Sequence, residues 1–218
     1  VDNNGVLIDL YGLPDSSLIP KSFVYKPLKA VMDSHGYLYV LSDGSYYGAL
    51  LYAPDKSFTG FYGANNVTKG IASAIQNILE RVFPNNAKKS ASARTLPFSF
   101  VDIVIDNSDF IYTATGKTDT YDRVGQVKKL NPGTGNNILD SEEVNFVDDE
   151  FNTTFNNGTQ IEQDIVGIEV TDNGYVFCIE SQFGRVYLYD KSCRMLTAFG
   201  GGIGQGQQEG TFVAATAI

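Results

Sequence analysis

The sequence predicts an all-β protein, a β-propeller of four-stranded antiparallel blades with about three full blades, a partial blade at each end and one inserted helix. Three observations predict it. A strand–turn–strand pattern occurs three times along the chain. Each copy is followed by further strand patterns, so one unit spans roughly 40 residues, the period of a propeller blade. The residue supply fits as well: 13 Tyr, 14 Phe and 22 Gly with no Trp suit many short strands joined by tight turns.

The three repeated hairpins occupy residues 30–40, 103–113 and 168–178. In each, an apolar strand runs into a four-residue turn: Asp33-Ser34-His35-Gly36, Asp106-Asn107-Ser108-Asp109 and Thr171-Asp172-Asn173-Gly174. A second strand of alternating aromatic and aliphatic residues follows, which is the signature of a hairpin. Third strands are expected at 48–52, 125–130 and 184–189, each followed by a turn: Ala53-Pro54-Asp55-Lys56, Asn131-Pro132-Gly133 and Asp190-Lys191-Ser192. Fourth strands ending in glycine are expected at 58–63 and 195–200, and residues 4–12 match the same pattern.

The hairpin turns lie further apart than one blade, and two insertions account for the excess. The first covers about residues 65–96, where Ile71, Ile75, Ile78, Leu79 and Val82 fall at helical spacing before Pro84, predicting a helix over about 69–83. Its apolar stripe is expected to pack on the blade. The second covers about 135–163 and carries Asp140, Glu142, Glu143, Asp148, Asp149 and Glu150, which reads as a long exposed loop.

The third unit ends Thr197-Ala198-Phe199-Gly200-Gly201-Gly202 and the next opens Gly210-Thr211-Phe212-Val213. With the Asp33-x-x-Gly36-x-Leu38-Tyr39-Val40 hairpin and its counterpart at Asp172 to Phe177, this resembles the NHL repeat. The resemblance covers most of the chain outside the insertions and marks the blade, not an activity. In particular the chain looks like NHL-type propellers of Firmicutes, in exported or membrane-associated proteins. It implies residues 1–218 as part of a single NHL-type propeller domain in an extracytoplasmic bacterial protein, at the cell surface or secreted. Asp109 departs from the pattern, which has Gly there, but Asp tolerates the left-handed turn conformation. Three blades do not close a ring, so a larger parent domain is expected, or self-association through the exposed strand edges at 1–12 and 210–218.

Composition narrows the function. A formal net charge of −9 and only small basic clusters leave no phosphate-neutralising face, so no nucleic-acid partner is expected. No apolar run is long enough to span a membrane. Charged residues are 19% of the chain, too few for a coiled coil or a highly charged disordered tail. The two cysteines, Cys178 in a strand and Cys193 in a turn, read as structural thiols, with a disulfide as the alternative.

Lactonase-type propellers hold a catalytic divalent ion in the channel with acids and amides, and here Asp43, Asp102 and Glu180 are the candidate inward acids. Asp43 and Glu180 each follow a second strand, which places both near one rim. The acidic stretch 140–150 lacks the alternating order of a calcium loop. His35 is the single histidine and reads as a turn residue; no nucleophile elbow accompanies it, so no Ser-His-Asp triad is expected. Tyr46, Tyr47 and Tyr121 lie between second and third strands, where exposed tyrosines stack on sugars or anchor proteins. The expected function is therefore a non-catalytic binding or scaffolding module for a protein or carbohydrate, with no cofactor and no metal. Its binding-loop residues are Tyr46, Tyr47, Tyr121, Asp43 and Glu180. The alternative is a metal-dependent lactonase-like hydrolase with a channel ion.

Overall fold

The computed structural model describes residues 3–21, 23–45, 47–63, 99–116, 127–139, 153–154, 160–161, 163–201, 210 and 212. Its first sheet is β1 (Pro27–Met32), β2 (Leu38–Ser42), β3 (Ala49–Tyr52) and β4 (Phe58–Tyr62), in that order. The second holds β5 (Phe100–Ile105), β6 (Ile111–Thr115) and β7 (Val127–Leu130). A two-stranded ribbon of β8 (Thr153–Thr154) and β9 (Gln160–Ile161) follows. The last sheet is β10 (Ile165–Val170), β11 (Val176–Glu180), β12 (Arg185–Tyr189) and β13 (Met195–Gly200). Neighbouring strands in each of these sheets are antiparallel. The all-β class is as the sequence predicts. Among the described residues no sheet closes on itself.

The sheets repeat one another position by position. Met32 faces Leu38, Ile105 faces Ile111 and Val170 faces Val176 at the three hairpin mouths. Each first strand then carries one extra residue at the same place, Leu28, Val101 and Val166, where the register slips against the end of the second strand. A bulge of this kind bends the strand and strengthens its twist. The hairpin turns share two backbone bonds, for example Asp33 N–H to Tyr37 O at 3.0 Å and Gly36 N–H to Asp33 O at 3.1 Å. The fourth turn position is left-handed in every copy: Gly36 at φ 84°, Asp109 at 65° and Gly174 at 80°. Asp109 thus takes the conformation that glycine takes elsewhere, as its tolerance of that region allows.

The three large sheets pack on one another through their first strands, with β5 between β1 and β10. Strand alternation sends successive side chains to opposite faces. Tyr39, Leu41, Ala49 and Tyr62 of the first sheet meet Phe100, Ile103 and Ile111 of the second. Tyr112, Ala114 and Val127 of the second meet Ile168, Val176, Cys178 and Tyr187 of the third. On the far side of the first sheet, Val40, Leu50 and Tyr52 are covered by Tyr11, Ile19, Phe23 and Tyr25. Both cysteines are buried in the second of these interfaces and do not form a disulfide. Desolvation pushes the Cys178 thiol up, away from the reactive thiolate.

The structure departs from two of these expectations. Residues 4–12 match the fourth-strand pattern but form no strand, because no described strand lies alongside to supply a ladder. They lie instead across the first sheet, where the Tyr52 hydroxyl donates to Gly12 O at 2.9 Å and Lys56 pairs with Asp9. Among the described residues the second unit shows three strands; after the Asn131 turn Asn137 bridges back to Leu130, and Ile138 N–H donates to Lys129 O at 2.9 Å. The second insertion is also not wholly an exposed loop, since Leu139 is buried between sheets and 153–161 contains a small antiparallel ribbon. The helix expected over 69–83 lies outside the described residues.

Candidate functional site

The loops that join second to third strands grow from a common root. The last residue of each second strand is polar and buried: Ser42, Thr115 and Glu180. Strand alternation puts them on the same face as the buried residue two places earlier: Val40, Thr113 and Cys178. Ser42 Oγ accepts Lys26 N–H at 2.9 Å, and Asp43 N–H donates to Lys26 O at 2.8 Å. Glu180 repeats this scaffold with a carboxylate: Oε1 accepts Asp164 N–H at 3.1 Å, and Ser181 N–H donates to Asp164 O at 2.9 Å. Its longer side chain also reaches the turn that follows. Oε1 accepts Gln182 N–H at 2.7 Å and Oε2 accepts Phe183 N–H at 2.8 Å. Burial raises the Glu180 carboxyl above its ordinary range, and these three N–H donors pull against that rise.

Glu180 is therefore a fully buried organiser of the loop, 0% exposed, and presents nothing to a ligand as the chain stands. Asp43 is exposed beside Lys26 at 3.7 Å, a surface pair of little energetic weight. Asp43 and Glu180 root loops of the first and third sheets, respectively. Tyr47 is half-buried. Its ring stacks on Phe61 at 5.1 Å and lies 6.4 Å from Phe23, and burial raises its hydroxyl. Tyr47 thus anchors its loop to the outer face of the first sheet. Tyr46 and Tyr121 lie outside the described residues, as does the acidic stretch 140–150.

The third candidate acid, Asp102, sits at the centre of the stack. Its side chain is 16% exposed, and Oδ1 accepts the Lys29 ammonium at 2.8 Å. Oδ2 accepts Ile168 N–H at 2.9 Å, and Oδ1 also takes Ile103 N–H at 2.8 Å. One carboxylate thereby ties β1, β5 and β10 together. Lys29, Asp102 and Gly167 occupy the same position in the three sheets, immediately after the bulge. Among the described residues no three His, Cys, Asp or Glu side chains gather as a metal-binding group.

At the opposite end of the first strands, the hairpin tips are joined in series, which sequence reading missed. Ser34 of the first tip donates its hydroxyl and backbone N–H to Asp109 of the second, at 2.5 and 2.8 Å. Asn107 of the second tip donates to Asp172 of the third at 3.3 Å. His35 Nδ1 lies 3.5 Å from Asp109 and 3.4 Å from Ser34 Oγ. This trio is not a catalytic relay: the serine already donates to the carboxylate, and the exposed imidazole stands beside both instead of between them. The signal available in the sequence was Asp109 itself, an acid where the repeat has glycine.

No family model matches the chain, and neither does any curated protein. Among solved structures the chain is similar to the extracellular domain of a hybrid two-component system of B. thetaiotaomicron, at 13% identity and a TM-score of 0.37. The similarity covers 88% of this chain and 24% of that one, so the chain spans about a quarter of that domain's length. Among the described residues, no helix is long and apolar enough to cross a membrane.

Proposed function

We propose that the chain is part of an NHL-type β-propeller that serves as a non-catalytic, extracytoplasmic binding or scaffolding module. The loops between second and third strands are its ligand-facing elements. One observation carries the reading: three sheets repeat the same bulge, turn and buried polar root, and stack through their first strands. Stacking of equivalent sheets about their first strands is how propeller blades are arranged. Two of the three candidate channel acids are held by structural bonds, Glu180 by three backbone N–H groups and Asp102 by Lys29 and Ile168. A scaffold of this kind leaves specificity to its loops.

The test is a binding screen against soluble polysaccharides and secreted proteins, run beside lactone hydrolysis with and without added divalent ions. The expected result is a ligand whose affinity falls when Tyr46→Ala and Tyr121→Ala are combined, with unchanged thermal unfolding and no turnover. Ion-dependent hydrolysis that disappears in Asp102→Asn would replace this reading with the hydrolase.

A further inference from the structure

Of the three equivalent root positions, Ser42 and Thr115 carry hydroxyls and Glu180 carries an acid. The difference changes what holds the loop. In the first sheet the Ser45 N–H, three places after the root, donates to the Ser42 backbone carbonyl at 3.1 Å. In the third sheet the N–H at that place, from Phe183, donates to the Glu180 carboxylate at 2.8 Å, and the Gln182 N–H beside it does so at 2.7 Å. The first loop is closed by main chain, the third by an ionisable side chain.

The bonds are shared between the two oxygens as two and one: Oε1 accepts Asp164 and Gln182, and Oε2 accepts Phe183. A neutral carboxyl meets that demand in full. Its carbonyl oxygen has two lone pairs for the first two donors, and its hydroxyl oxygen keeps acceptor capacity for the third. The ionised form makes the same bonds but holds a charge at 0% exposure, and burial penalises the charged form. Arg185, facing Glu180 from β12, favours the charge, while burial keeps Tyr187 on β12 and Cys178 on β11 neutral. Beside β10, Asp164 turns its own carboxylate to the Ser181 hydroxyl at 3.1 Å. From the second sheet come the apolar Ala114 and Val127, with Asp102 bonded to Lys29 and the Ile168 N–H. Burial outweighs the favourable contacts and raises the Glu180 carboxyl above its ordinary range. Opening the loop returns the side chain to water and removes the penalty, so ionisation favours opening and protonation favours closure.

We infer that Glu180 is a proton-operated latch on residues 181–184: the neutral side chain holds the loop closed, and its ionisation favours release. The proton passes between Glu180 and solvent. As control of ligand binding, the latch rests on the reading of these loops as ligand-facing; as a property of the loop, it does not.

Amide hydrogen exchange of the 218-residue chain without ligand, corrected for the intrinsic rate at each pH, tests this. Protection of the Gln182 amide should fall from mildly acidic to neutral pH, by up to about tenfold for each pH unit by which closure raises the carboxyl. The Ser45 amide should show no such fall. Carboxyl carbon NMR follows Glu180 itself, and its titration should share a midpoint with the loss of Gln182 protection. Glu180→Gln keeps the carbonyl oxygen that serves Gln182 and does not ionise, so Gln182 protection should lose its pH dependence. Should that variant fail to fold, the shared midpoint in the parent decides. Gln182 protection that tracks Ser45 at every pH, midpoints that differ, or a slope that persists in Glu180→Gln would each overturn the inference. No ligand enters these measurements, so the proposed function stands or falls separately on its binding screen.

Discussion

Asp109 Oδ2 accepts the Ser34 hydroxyl at 2.5 Å across two hairpin tips, and its other oxygen accepts the Ser34 backbone N–H at 2.8 Å. The residue that departs from glycine thus exchanges a left-handed backbone cost for a bond to the neighbouring sheet. Two variants separate these effects. Asp109→Gly loses the bond and relieves the backbone; Asp109→Ala loses the bond and keeps a Cβ at φ 65°. Asp109→Ala should therefore unfold at a lower temperature than Asp109→Gly by calorimetry. The Ser34 bonds, followed by His35, hold the Asp109 carboxyl below its ordinary range. Such a group stabilises the fold above the ordinary carboxylate range and loses that contribution as pH falls through its lowered value. Asp109→Asn should remove this acid-side dependence from the thermal midpoint.

A second relation concerns the turn carboxylates. Asp33 Oδ2 accepts the Tyr39 hydroxyl at 3.2 Å, and Asp106 Oδ2 accepts the Tyr112 hydroxyl at 3.1 Å. In the third sheet the equivalent pair is Thr171 and Phe177, so acid and hydroxyl are absent together. The expectation is energetic coupling. Asp33→Thr alone strands the hydroxyl of Tyr39, which is 2% exposed, and Tyr39→Phe alone removes a donor from the carboxylate. The double variant reproduces the third sheet and should cost less than the sum of the singles by about 1 kcal/mol or more, as bonds to charged groups do. Denaturant melts of the four proteins give this coupling directly.

The parts legible in the sequence are those whose chemistry is local. The turns at Asp33, Asp106 and Thr171 announce themselves because four neighbouring residues supply both conformation and hydrogen bonds. What fixes one sheet against another was not legible, since Asp102 and Ile168 are 66 positions apart and only the stacking makes them neighbours. Residues 4–12 misled because a strand pattern states a preference, while a strand needs a ladder. Glu180 sits at a strand end as the pattern indicates, but expecting it at an open rim overlooks its alternation with Val176 and Cys178, both buried, which puts it on the strand's packed face.

Glu180 gives a pH prediction. Burial raises its carboxyl above the ordinary range. For an acid with a raised folded value, the unfolded chain releases its proton first as pH rises. Its contribution to stability is thus full below the ordinary carboxylate range and is lost as pH climbs through the raised value. Glu180→Gln should flatten the thermal midpoint between mildly acidic and neutral pH. It also turns an amide N–H₂ toward one of the three N–H groups, at a cost of about 1–3 kcal/mol for the buried donor left unpaired. A variant retaining the parent's slope would show that another group titrates.

Asp102 carries the strongest structural prediction, because three strands of three sheets depend on one side chain. Removing it in Asp102→Ala leaves the Lys29 ammonium without its 2.8 Å partner and the Ile168 N–H without its 2.9 Å acceptor. Breaking one side of a partly buried pair costs more than the pair itself contributes, because the remaining charge stays desolvated. Lys29 is 38% exposed and can swing into water, so the greater share of the loss falls on the Ile168 amide. The expected destabilisation is about 1–3 kcal/mol, the range for a buried group left unsatisfied. Lys29→Met removes the cation but leaves Asp102 bonded to Ile168, and should cost less than Asp102→Ala. Asp102→Asn keeps an acceptor for one of the two and should fall between them. Hydrogen exchange locates the effect. If Asp102 clamps the sheets, Asp102→Ala should speed exchange of the Ile168 amide ahead of the hairpin amides of β10 and β11. Uniform acceleration across all three sheets would show that Asp102 contributes only to global stability.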